Sequence, residues 1–436
     1  MIANRIKPCL NSVISPTQSA FIPKRLITDN VLVAYEVNHF IKNRTKGKIQ
    51  YMALKLDVSK AYDRVEWVFL RCALLRLELT PARGLRQGDP LSPYLFLCCV
   101  EAFIKLVENV VDEGRLHGVR VAPLAPEISN LCFADDTILY CRAEAREAEE
   151  IVRILDRYAQ VSGQIINFEK LSMVFSPGTC AQAREEVQNI LGIEVVPKFE
   201  KYLGMPAVVG RSKKEVFNYL VDRVWDRIKK WGERDFSMAG REVLIKAVLQ
   251  AIPTYTMSCF LLPTSTIAEI EKLVRRFWWS SGDTKGMYWV SWSSICRSKK
   301  LGGMGFRDHE CFNLALLTKQ GWRLINNPDL LLSKILKARY FPTGTFSNAD
   351  VGEKPSLSWC GLLAARDGLA RGLRKRIGNG EGTSIWGESW LSSPASGRII
   401  PYRPKNVAFP NKVSDLIDWS TCILIRKHTF CNFKSK

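Results

Sequence analysis

Two segments in which an apolar run ends at aspartate constrain the fold of this chain more than any other feature. Asp57 closes the apolar run Tyr51–Leu56, whereas Asp135 and Asp136 stand between two apolar triplets. This pattern predicts a strand that ends at a carboxylate and a hairpin that carries two carboxylates at its tip. Carboxylates brought together at strand ends repel one another and are costly to desolvate, so such a cluster implies bound divalent cations.

Hard oxygen ligands of this kind suit magnesium. Two Mg²⁺ ions about 4 Å apart can activate a primer 3′-hydroxyl and stabilise the leaving pyrophosphate, which predicts a nucleotidyl-transfer site. An Asp-Asp pair between short strands is also common in solvated turns, and the first segment alone fits a strand end followed by an N-capped helix. The combination and order of the segments therefore carry more weight than either segment alone.

A third segment, RGLRQGDPLSP at Arg83–Pro93, lies between the two aspartate segments. Together the three segments resemble those of the reverse transcriptases of plant-type non-LTR (LINE-like) retrotransposons, and the resemblance covers nearly the whole chain. It implies an RNA-directed DNA polymerase that adds deoxynucleoside triphosphates to a DNA primer on an RNA template. It also implies that Asp57, Asp135 and Asp136 ligate two catalytic Mg²⁺ ions.

The resemblance assigns roles around the nucleotide to five further residues. Arg25, in SPTQSAFIPKRLITDN, faces the triphosphate, while Gln87 and Gly88 contact the incoming nucleotide. Tyr62 corresponds to an aromatic side chain beneath the sugar that would clash with a 2′-hydroxyl, although a core tyrosine on a helix fits its spacing equally well. Lys170, in GQIINFEKLS, corresponds to the proposed proton donor to pyrophosphate.

Two departures from the family pattern bear on these assignments. Lys24 stands where relatives have a glycine, so a left-handed backbone there would be strained. Between Trp67 and Gly84 the chain lacks a stretch that is long enough for a helix and a pair of strands in relatives. Because catalysis needs reacting groups held within about an ångström, a displaced Gln87 loop would abolish it. The resemblance thus implies a reverse transcriptase domain that is truncated at both ends and internally shortened, and the alternative is a catalytically inactive, degenerate nucleic-acid-binding remnant of such an element.

The order of predicted elements indicates an α+β right-hand polymerase. Residues 1–205, shortened between 67 and 84, correspond to fingers and palm, in which an antiparallel sheet is backed by helices. Residues 206–290 correspond to a helical thumb-like region and residues 291–436 to an aromatic and basic C-terminal linker region. The segment KYLGMP at 201–206 resembles the family's turn that grips the primer end. The predicted palm elements are a strand at Tyr51–Leu56, helices at Asp63–Leu79, Pro93–Asp112 and Ala145–Val161, a hairpin around Asp135, and a strand at Met173–Phe175.

Helix-start signals recur at three places. Ser92 and Pro93 are predicted as the N-cap and the first residue of the helix after the third segment. Ser212 and Thr266 each precede a glutamate by three residues, which is the spacing of a capping box and predicts two thumb-like helices. The first of these helices has a basic face that the resemblance places along the template–primer backbone, although a solvated face fits the spacing equally well. Its basic residues are Lys213, Arg223, Arg227, Lys229 and Lys230.

Composition agrees with a folded protein that faces nucleic acid. The chain of 436 residues has 63 Lys+Arg against 43 Asp+Glu, a formal charge of +20. That charge favours salt-sensitive binding to phosphates, although a merely soluble basic surface is an equal alternative. The 13 cysteines are scattered without a CxxC pair, which argues against a zinc module or a disulfide framework and for an intracellular location, nuclear or cytoplasmic. We expect no secretory signal and no membrane segment, since the apolar stretch Val248–Leu262 is short and contains Pro253.

Overall fold

The structure is a computed structural model that describes residues 2–56, 58–59, 65–66, 69–70, 89–166, 171–210, 212–231, 236–279, 287–373, 376–385, 410–418 and 423–424. The chain divides into two compact units, Met1–Ala365 and Arg366–Lys436. The first unit contains the predicted fingers/palm and thumb-like regions together with residues 291–365 of the predicted linker region. The predicted boundaries at 205 and 290 stay predictions, because a compact unit is defined by contacts and not by function.

Strands in the first unit form one larger sheet and two short pairs. They are β1 (Tyr51–Leu56), β2 (Val58–Ser59), β3 (Asn130–Phe133), β4 (Asp136–Arg142), β5 (Ile165–Ile166), β6 (Ser172–Phe175), β7 (Glu194–Val195), β8 (Lys201–Tyr202) and β9 (Met205–Pro206). The larger sheet has the order β3-β4-β1-β6-β7, while β2 pairs with β5 and β8 pairs with β9.

The prediction of a purely antiparallel sheet is wrong at one edge. β7 runs parallel to β6, with Ser172 opposite Glu194, whereas the pairs β3–β4, β4–β1 and β1–β6 are antiparallel. The helix Ala181–Leu191 connects β6 with β7 and supplies the crossover that a parallel connection needs. The first unit is therefore a mixed α/β structure built on a mixed sheet.

Helices make up much of the remaining described chain. They are α1 (Ile2–Ile6), α2 (Leu10–Val13), α3 (Ile27–Lys42), α4 (Ser92–Asp112), α5 (Ala145–Ser162), α6 (Ala181–Leu191), α7 (Lys213–Trp231), α8 (Met238–Ala247), α9 (Thr254–Met257), α10 (Thr264–Trp279), α11 (Trp292–Cys296), α12 (His309–Asn326), α13 (Leu331–Tyr340), α14 (Leu357–Ala364) and α15 (Arg366–Gly372). Short 3-10 turns lie at Leu249–Ala251, Lys299–Leu301, Phe346–Asn348 and Val413–Leu416. Across the described ranges, none of these helices combines the length and apolar character needed to cross a bilayer.

Alternation along β1 and β4 separates the two faces of the sheet. Leu54 and Leu56 are buried in one apolar core with Leu139 and Cys141 of β4. Asp136 is one residue out of phase with this set, so it lies on the opposite face. Helices α4 and α5 complete the core through Phe103, Val107, Ile151 and Leu155. The face that carries Asp136 is therefore the one turned away from that helical layer.

Several predicted palm elements are confirmed with small shifts. The strand Tyr51–Leu56 is confirmed as predicted, and the hairpin and the helix from Ala145 are confirmed within a residue. Helix α4 begins at Ser92, so the prediction of Ser92 as N-cap is wrong by one residue, and Leu91 is the N-cap. Asp89 orders this start, because its Oδ1 accepts a hydrogen bond from the Leu91 N–H at 2.8 Å. The predicted helix Asp63–Leu79 lies almost entirely outside the described residues.

The two predicted thumb-like helices exist, with one correction. The Oγ of Ser212 accepts the Glu215 N–H at 3.4 Å at the start of α7, as its capping spacing predicts. The prediction of a helix start at Thr266 is wrong, because α10 begins at Thr264 and Thr266 is buried inside it. Pro263 explains the earlier start, since its carbonyl accepts the Thr266 N–H at 3.0 Å as the first turn closes. The apolar residues of α7 that face the interior are Phe217, Leu220, Val224 and Ile228.

Buried charges connect α3 to the C-terminal part of the first unit. Glu36 is 0% exposed and accepts hydrogen bonds from Arg339 Nη1 at 3.1 Å, from Tyr340 Oη at 2.9 Å and from the hydroxyls of Ser356 and Ser358. About two turns earlier on α3, Arg323 forms a bidentate pair with Asp29 at 2.8 and 2.9 Å. Residues 309–365 therefore form part of the same folded body as the N-terminal region.

We expect Arg339→Met to lower the free energy of unfolding by about 3–5 kcal/mol, because it leaves the Glu36 carboxylate buried without its cation. Urea unfolding measures this change. The matched control is Arg153→Met, which removes an arginine whose side chain is 63% exposed and should cost less than about 1 kcal/mol. Equal losses of stability in the two variants would contradict the conclusion that Arg339 stabilises the fold by pairing with the buried Glu36 carboxylate.

The second unit has its own small apolar cluster in its described residues, formed by Ile385, Val413 and Leu416. Gly380 packs directly on this cluster's backbone with a φ of +74°. A Cβ at that position would lie 2.5 Å from the Ser414 nitrogen, so glycine is required there for space as well as for conformation. Strands β10 (Ile417–Asp418) and β11 (Ile423–Leu424) pair beside this cluster in the chain.

Candidate active site

The two neighbouring aspartates lie at the tip of the β3–β4 hairpin, as the sequence predicts. Phe133 pairs with Asp136, which leaves Ala134 and Asp135 as a two-residue turn. Asp135 is exposed and Asp136 is half-buried. Leu56, the last residue of β1, lies opposite Thr137, so β1 ends beside the hairpin tip. The edge of the sheet at which both carboxylates lie is therefore also the edge at which residue 57 follows β1.

A second strand pairing joins two more predicted segments. β2 follows residue 57 and β5 precedes residues 167–170, and the two are antiparallel neighbours with Val58 opposite Ile166 and Ser59 opposite Ile165. The backbone thus brings the chain after the first aspartate segment beside the chain that leads to the predicted proton donor. Asp57, Tyr62, Gln87, Gly88 and Lys170 themselves lie outside the described residues.

The N-terminal segment supports the hairpin through hydrogen bonds that the sequence analysis did not identify. The Thr17 carbonyl accepts the Cys132 N–H at 2.9 Å, and the Cys132 carbonyl accepts the Asn30 Nδ2 at 2.6 Å. Gln18 is fully buried, and its Oε1 accepts the N–H of Ala134 in the turn at 3.2 Å. The sequence offers one signal for these contacts: Gln18 and Asn30 are amide residues in a segment rich in apolar residues, and amides that become buried need hydrogen-bond partners.

The KYLGMP segment forms a tight hairpin on the side of the sheet that carries Asp136. Leu203 and Gly204, with φ of +49° and +77°, form the two-residue turn between β8 and β9. The Tyr255 hydroxyl donates to the Leu203 carbonyl at 3.0 Å, and Lys55 Nζ on β1 donates to the Lys201 carbonyl at 3.3 Å. These bonds fix the turn to the sheet.

Tyr202 connects this turn electrostatically to the aspartates. Burial raises the pKa of the Tyr202 phenol, and the charge of Asp136 on the same side of the sheet adds to the shift. The segment predicted to grip the primer end lies against the face of the sheet that carries Lys55 and Asp136. Its contact with a primer stays a prediction.

Arg25, predicted to face the triphosphate, makes several backbone contacts within the protein. Its Nη1 donates to the carbonyls of Ser15 and Gln18, both at 2.6 Å, and its Nη2 donates to the Ile14 carbonyl at 3.0 Å. Partial burial lowers the pKa of the Arg25 guanidinium, and the charge of Glu101 opposes that shift. The structure thus shows Arg25 bracing the N-terminal segment, and its triphosphate contact stays a prediction.

The predicted basic residues of α7 are all exposed. Arg223, Arg227 and Lys230 share one stripe because they are separated by four and three residues, whereas Lys229 lies about 100° around the helix from Lys230. Lys213 lies at the first turn of the helix. The basic surface is therefore a stripe of three residues with two flanking cations, and its contact with nucleic acid stays a prediction.

Asp135 and Asp136 provide the kind of donor that magnesium prefers. Both are carboxylates at one turn, and the exposure of Asp135 leaves room for water or phosphate oxygens to complete a coordination shell. Within the part of the chain that the structure describes, no three His, Cys, Asp or Glu side chains converge on one point. The described donors fit a divalent cation in chemistry, and the third predicted ligand, Asp57, follows the strand that ends beside them.

Residues 1–220 match the family of reverse transcriptases (RNA-dependent DNA polymerases). The chain belongs to this family. It is also similar to an uncharacterized mitochondrial protein of Arabidopsis thaliana, 42% identical over 143 residues that cover 32% of this chain and 93% of that protein. A retrovirus-related Pol polyprotein from a type-1 retrotransposable element R2 of Nasonia vitripennis is 36% identical over 179 residues, covering 34% and 16%.

A third relative has the longest alignment of the three. The uncharacterized 149 kDa protein of transposon TX1 from Xenopus laevis is 27% identical over 341 residues, which cover 70% of this chain and 24% of that protein. These relatives confirm the predicted kinship with non-LTR retrotransposon reverse transcriptases. The chain spans a quarter or less of the length of the two transposon proteins. The similarity therefore concerns the reverse transcriptase region and not the full activities of those proteins.

The backbone of Lys24 is in the left-handed region, with a φ of +69°. We expect Lys24→Gly to raise the free energy of unfolding by about 1 kcal/mol, because glycine adopts this left-handed conformation without the steric cost of a Cβ. Urea unfolding again measures the change.

Lys198→Gly is the control, since Lys198 is an exposed loop lysine outside the left-handed region. It should be destabilising by up to about 1 kcal/mol, because glycine adds conformational entropy to the unfolded chain. Destabilisation by both substitutions would show that residue 24 is not strained.

Proposed function

We propose that this chain is an RNA-directed DNA polymerase that extends a DNA primer on an RNA template by two-metal nucleotidyl transfer. One observation carries the proposal: the Asp135–Asp136 hairpin tip lies beside the end of β1, at the point where Asp57 follows. Together with membership of the reverse transcriptase family, this geometry supports the assignment of the sheet edge as a palm active site. We interpret residues 1–290 of the first unit accordingly as fingers, palm and thumb.

Asp57, Asp135 and Asp136 would hold two Mg²⁺ ions in this proposal. When bound, such ions would supply Lewis-acid chemistry that activates the primer 3′-hydroxyl and stabilises the leaving pyrophosphate. The chain's own task is to hold the carboxylates in a fixed array, since they repel one another when the cations are absent. The paired backbone of β1 and β4 does this by fixing both strand ends in one register.

Other residues would bind and orient the substrates. Gln87 and Gly88 would contact the deoxynucleoside triphosphate, and Tyr62 would exclude a 2′-hydroxyl beneath the sugar. Arg25 would face the triphosphate, although it already donates to three backbone carbonyls. Lys170 would donate a proton to the pyrophosphate, which requires an ammonium held close to the leaving oxygen.

Nucleic acid is the partner that the charge distribution supports. The exposed stripe of Arg223, Arg227 and Lys230 lies on α7, and the KYLGMP hairpin lies against the face of the sheet that carries Asp136. A duplex held between these features would place its primer end at the carboxylates. We place this activity inside the cell, in the nucleus or cytoplasm, where an RNA template is present.

Primer extension tests the proposed activity directly. With a labelled DNA primer, an RNA template, Mg²⁺ and deoxynucleotides, Asp135→Asn and Asp136→Asn should each reduce extension at least about a hundredfold, because asparagine keeps the shape but removes the metal-binding charge. Asp112→Asn, at an exposed aspartate that ends α4, is the matched control and should extend normally. If the unsubstituted chain binds nucleic acid but extends no primer, the proposed polymerase activity is wrong and the inactive remnant is favoured.

Salt dependence tests the α7 surface separately from catalysis. Replacing Arg223, Arg227 and Lys230 together by glutamine should reduce the slope of log affinity against log salt by about 2, because each lost phosphate contact removes part of the counterion release. Fluorescence anisotropy with a labelled template–primer duplex measures the slope. Replacing three exposed arginines of α5, on the opposite side of the sheet, is the charge-matched control and should leave the slope unchanged. These arginines are Arg146, Arg153 and Arg157.

A further inference from the structure

The turn that carries the carboxylates has an unfavourable backbone conformation. Ala134 has a φ of +54°. This value lies in the left-handed region, which residues other than glycine, asparagine and aspartate rarely adopt. A conformation of this kind persists only where surrounding contacts fix it. Because Ala134 directly precedes Asp135 and Asp136, a change in its conformation would redirect both carboxylates.

Gln18 makes the side-chain contact that fixes this conformation. It is 0% exposed, and its Oε1 accepts the Ala20 N–H at 3.0 Å and the Ala134 N–H at 3.2 Å. Two N–H donors at one atom establish which end of the amide is the oxygen, since the NH₂ group cannot accept. Gln18 therefore bridges its own segment and the hairpin turn through one buried acceptor.

Gln18 is itself held on several sides. Its carbonyl accepts Arg25 Nη1 at 2.6 Å, and the flanking Thr17 and Ser19 each form a backbone hydrogen bond with Cys132 of β3. Asn30 of α3 completes the frame, because it donates to the Cys132 carbonyl and accepts from the Ser19 hydroxyl. A side chain anchored in this way can impose a conformation on the turn that it contacts.

We propose that Gln18 is a positioning residue for the carboxylate pair. It holds Ala134 in the left-handed conformation and so fixes the directions of Asp135 and Asp136 relative to the end of β1. Gln18 touches neither substrate nor metal and acts entirely through Ala134. The catalytic consequence rests on the proposed polymerase function, whereas the structural hold on the hairpin does not.

Gln18→Met tests the proposal, because methionine keeps the volume of the side chain and removes the acceptor. Hydrogen–deuterium exchange followed by mass spectrometry should show exchange of the peptide across the hairpin turn accelerated about tenfold. In primer extension, kcat should fall about a hundredfold. The Mg²⁺ concentration for half-maximal extension should rise at least about tenfold, with KM for the deoxynucleotide little changed.

Two further variants separate positioning from general destabilisation. Gln250→Met removes an equally buried glutamine, 1% exposed, from a 3-10 turn of the same unit, and it should leave hairpin exchange and the Mg²⁺ requirement unchanged. Adding Ala134→Gly to Gln18→Met should recover much of the lost kcat, because glycine adopts a positive φ without support. A side chain that merely fills space would be insensitive to that second change.

Unchanged hairpin exchange in Gln18→Met would overturn the proposal, and so would identical effects of Gln18→Met and Gln250→Met. If the unsubstituted chain extends no primer but Gln18→Met still accelerates exchange in the turn, the polymerase function fails while the hold on the hairpin stands. If the unsubstituted chain extends the primer and Gln18→Met has the same Mg²⁺ requirement as the unsubstituted chain, the polymerase function stands and the positioning role fails.

Discussion

The register between β1 and β4 is the constraint on which the candidate site depends. Leu56 opposite Thr137 places the end of β1 next to the hairpin tip. Because side chains alternate across a strand, a one-residue slip of β1 would turn Leu54 and Leu56 out of the core, and a one-residue slip of β4 would turn Asp136 into it. The apolar contacts with α4 and α5 oppose such a slip. Hydrophobic burial on one face thus determines where charge is placed on the other.

Polar contacts then refine what the apolar core fixes coarsely. The N-terminal segment lies along β3, and its Gln18 and Asn30 side chains form hydrogen bonds with the hairpin. Arg25 donates to the Gln18 carbonyl and so stabilises the same segment. Helix α3, which carries Asn30, is anchored from its other side by buried pairs between Asp29 and Arg323 and between Glu36 and Arg339. Residues from distant parts of the chain therefore share one polar framework around the site, in which hydrogen bonds and ion pairs connect the N-terminal segment, the hairpin and α3.

Local patterns sufficed where an element is defined by its own periodicity. The run Tyr51–Leu56, the hairpin around Asp135 and the amphipathic helix from Ala145 follow from alternating or helical spacing, and the structure confirms them. Prediction failed where the deciding partner is distant or where a neighbouring residue competes. Pro263 moves the start of α10 ahead of Thr266, and the crossover through α6 makes β7 parallel. The contacts of Gln18 and Arg25 were likewise beyond local reasoning, because they depend on which backbone groups the fold leaves unpaired.

The sequence by itself determined the chemistry of this protein: carboxylates at strand ends, a basic helix, and the order of segments that identifies a reverse transcriptase. These features are local, so their residue types and spacing carry the information. The tertiary structure alone decided how the carboxylates are held. The left-handed turn at Ala134, its hydrogen bond to Gln18 and the docking of residues 309–365 on α3 all join positions far apart in the chain. Such pairings are selected by the burial and hydrogen-bond satisfaction of the whole unit, which no short stretch of sequence specifies.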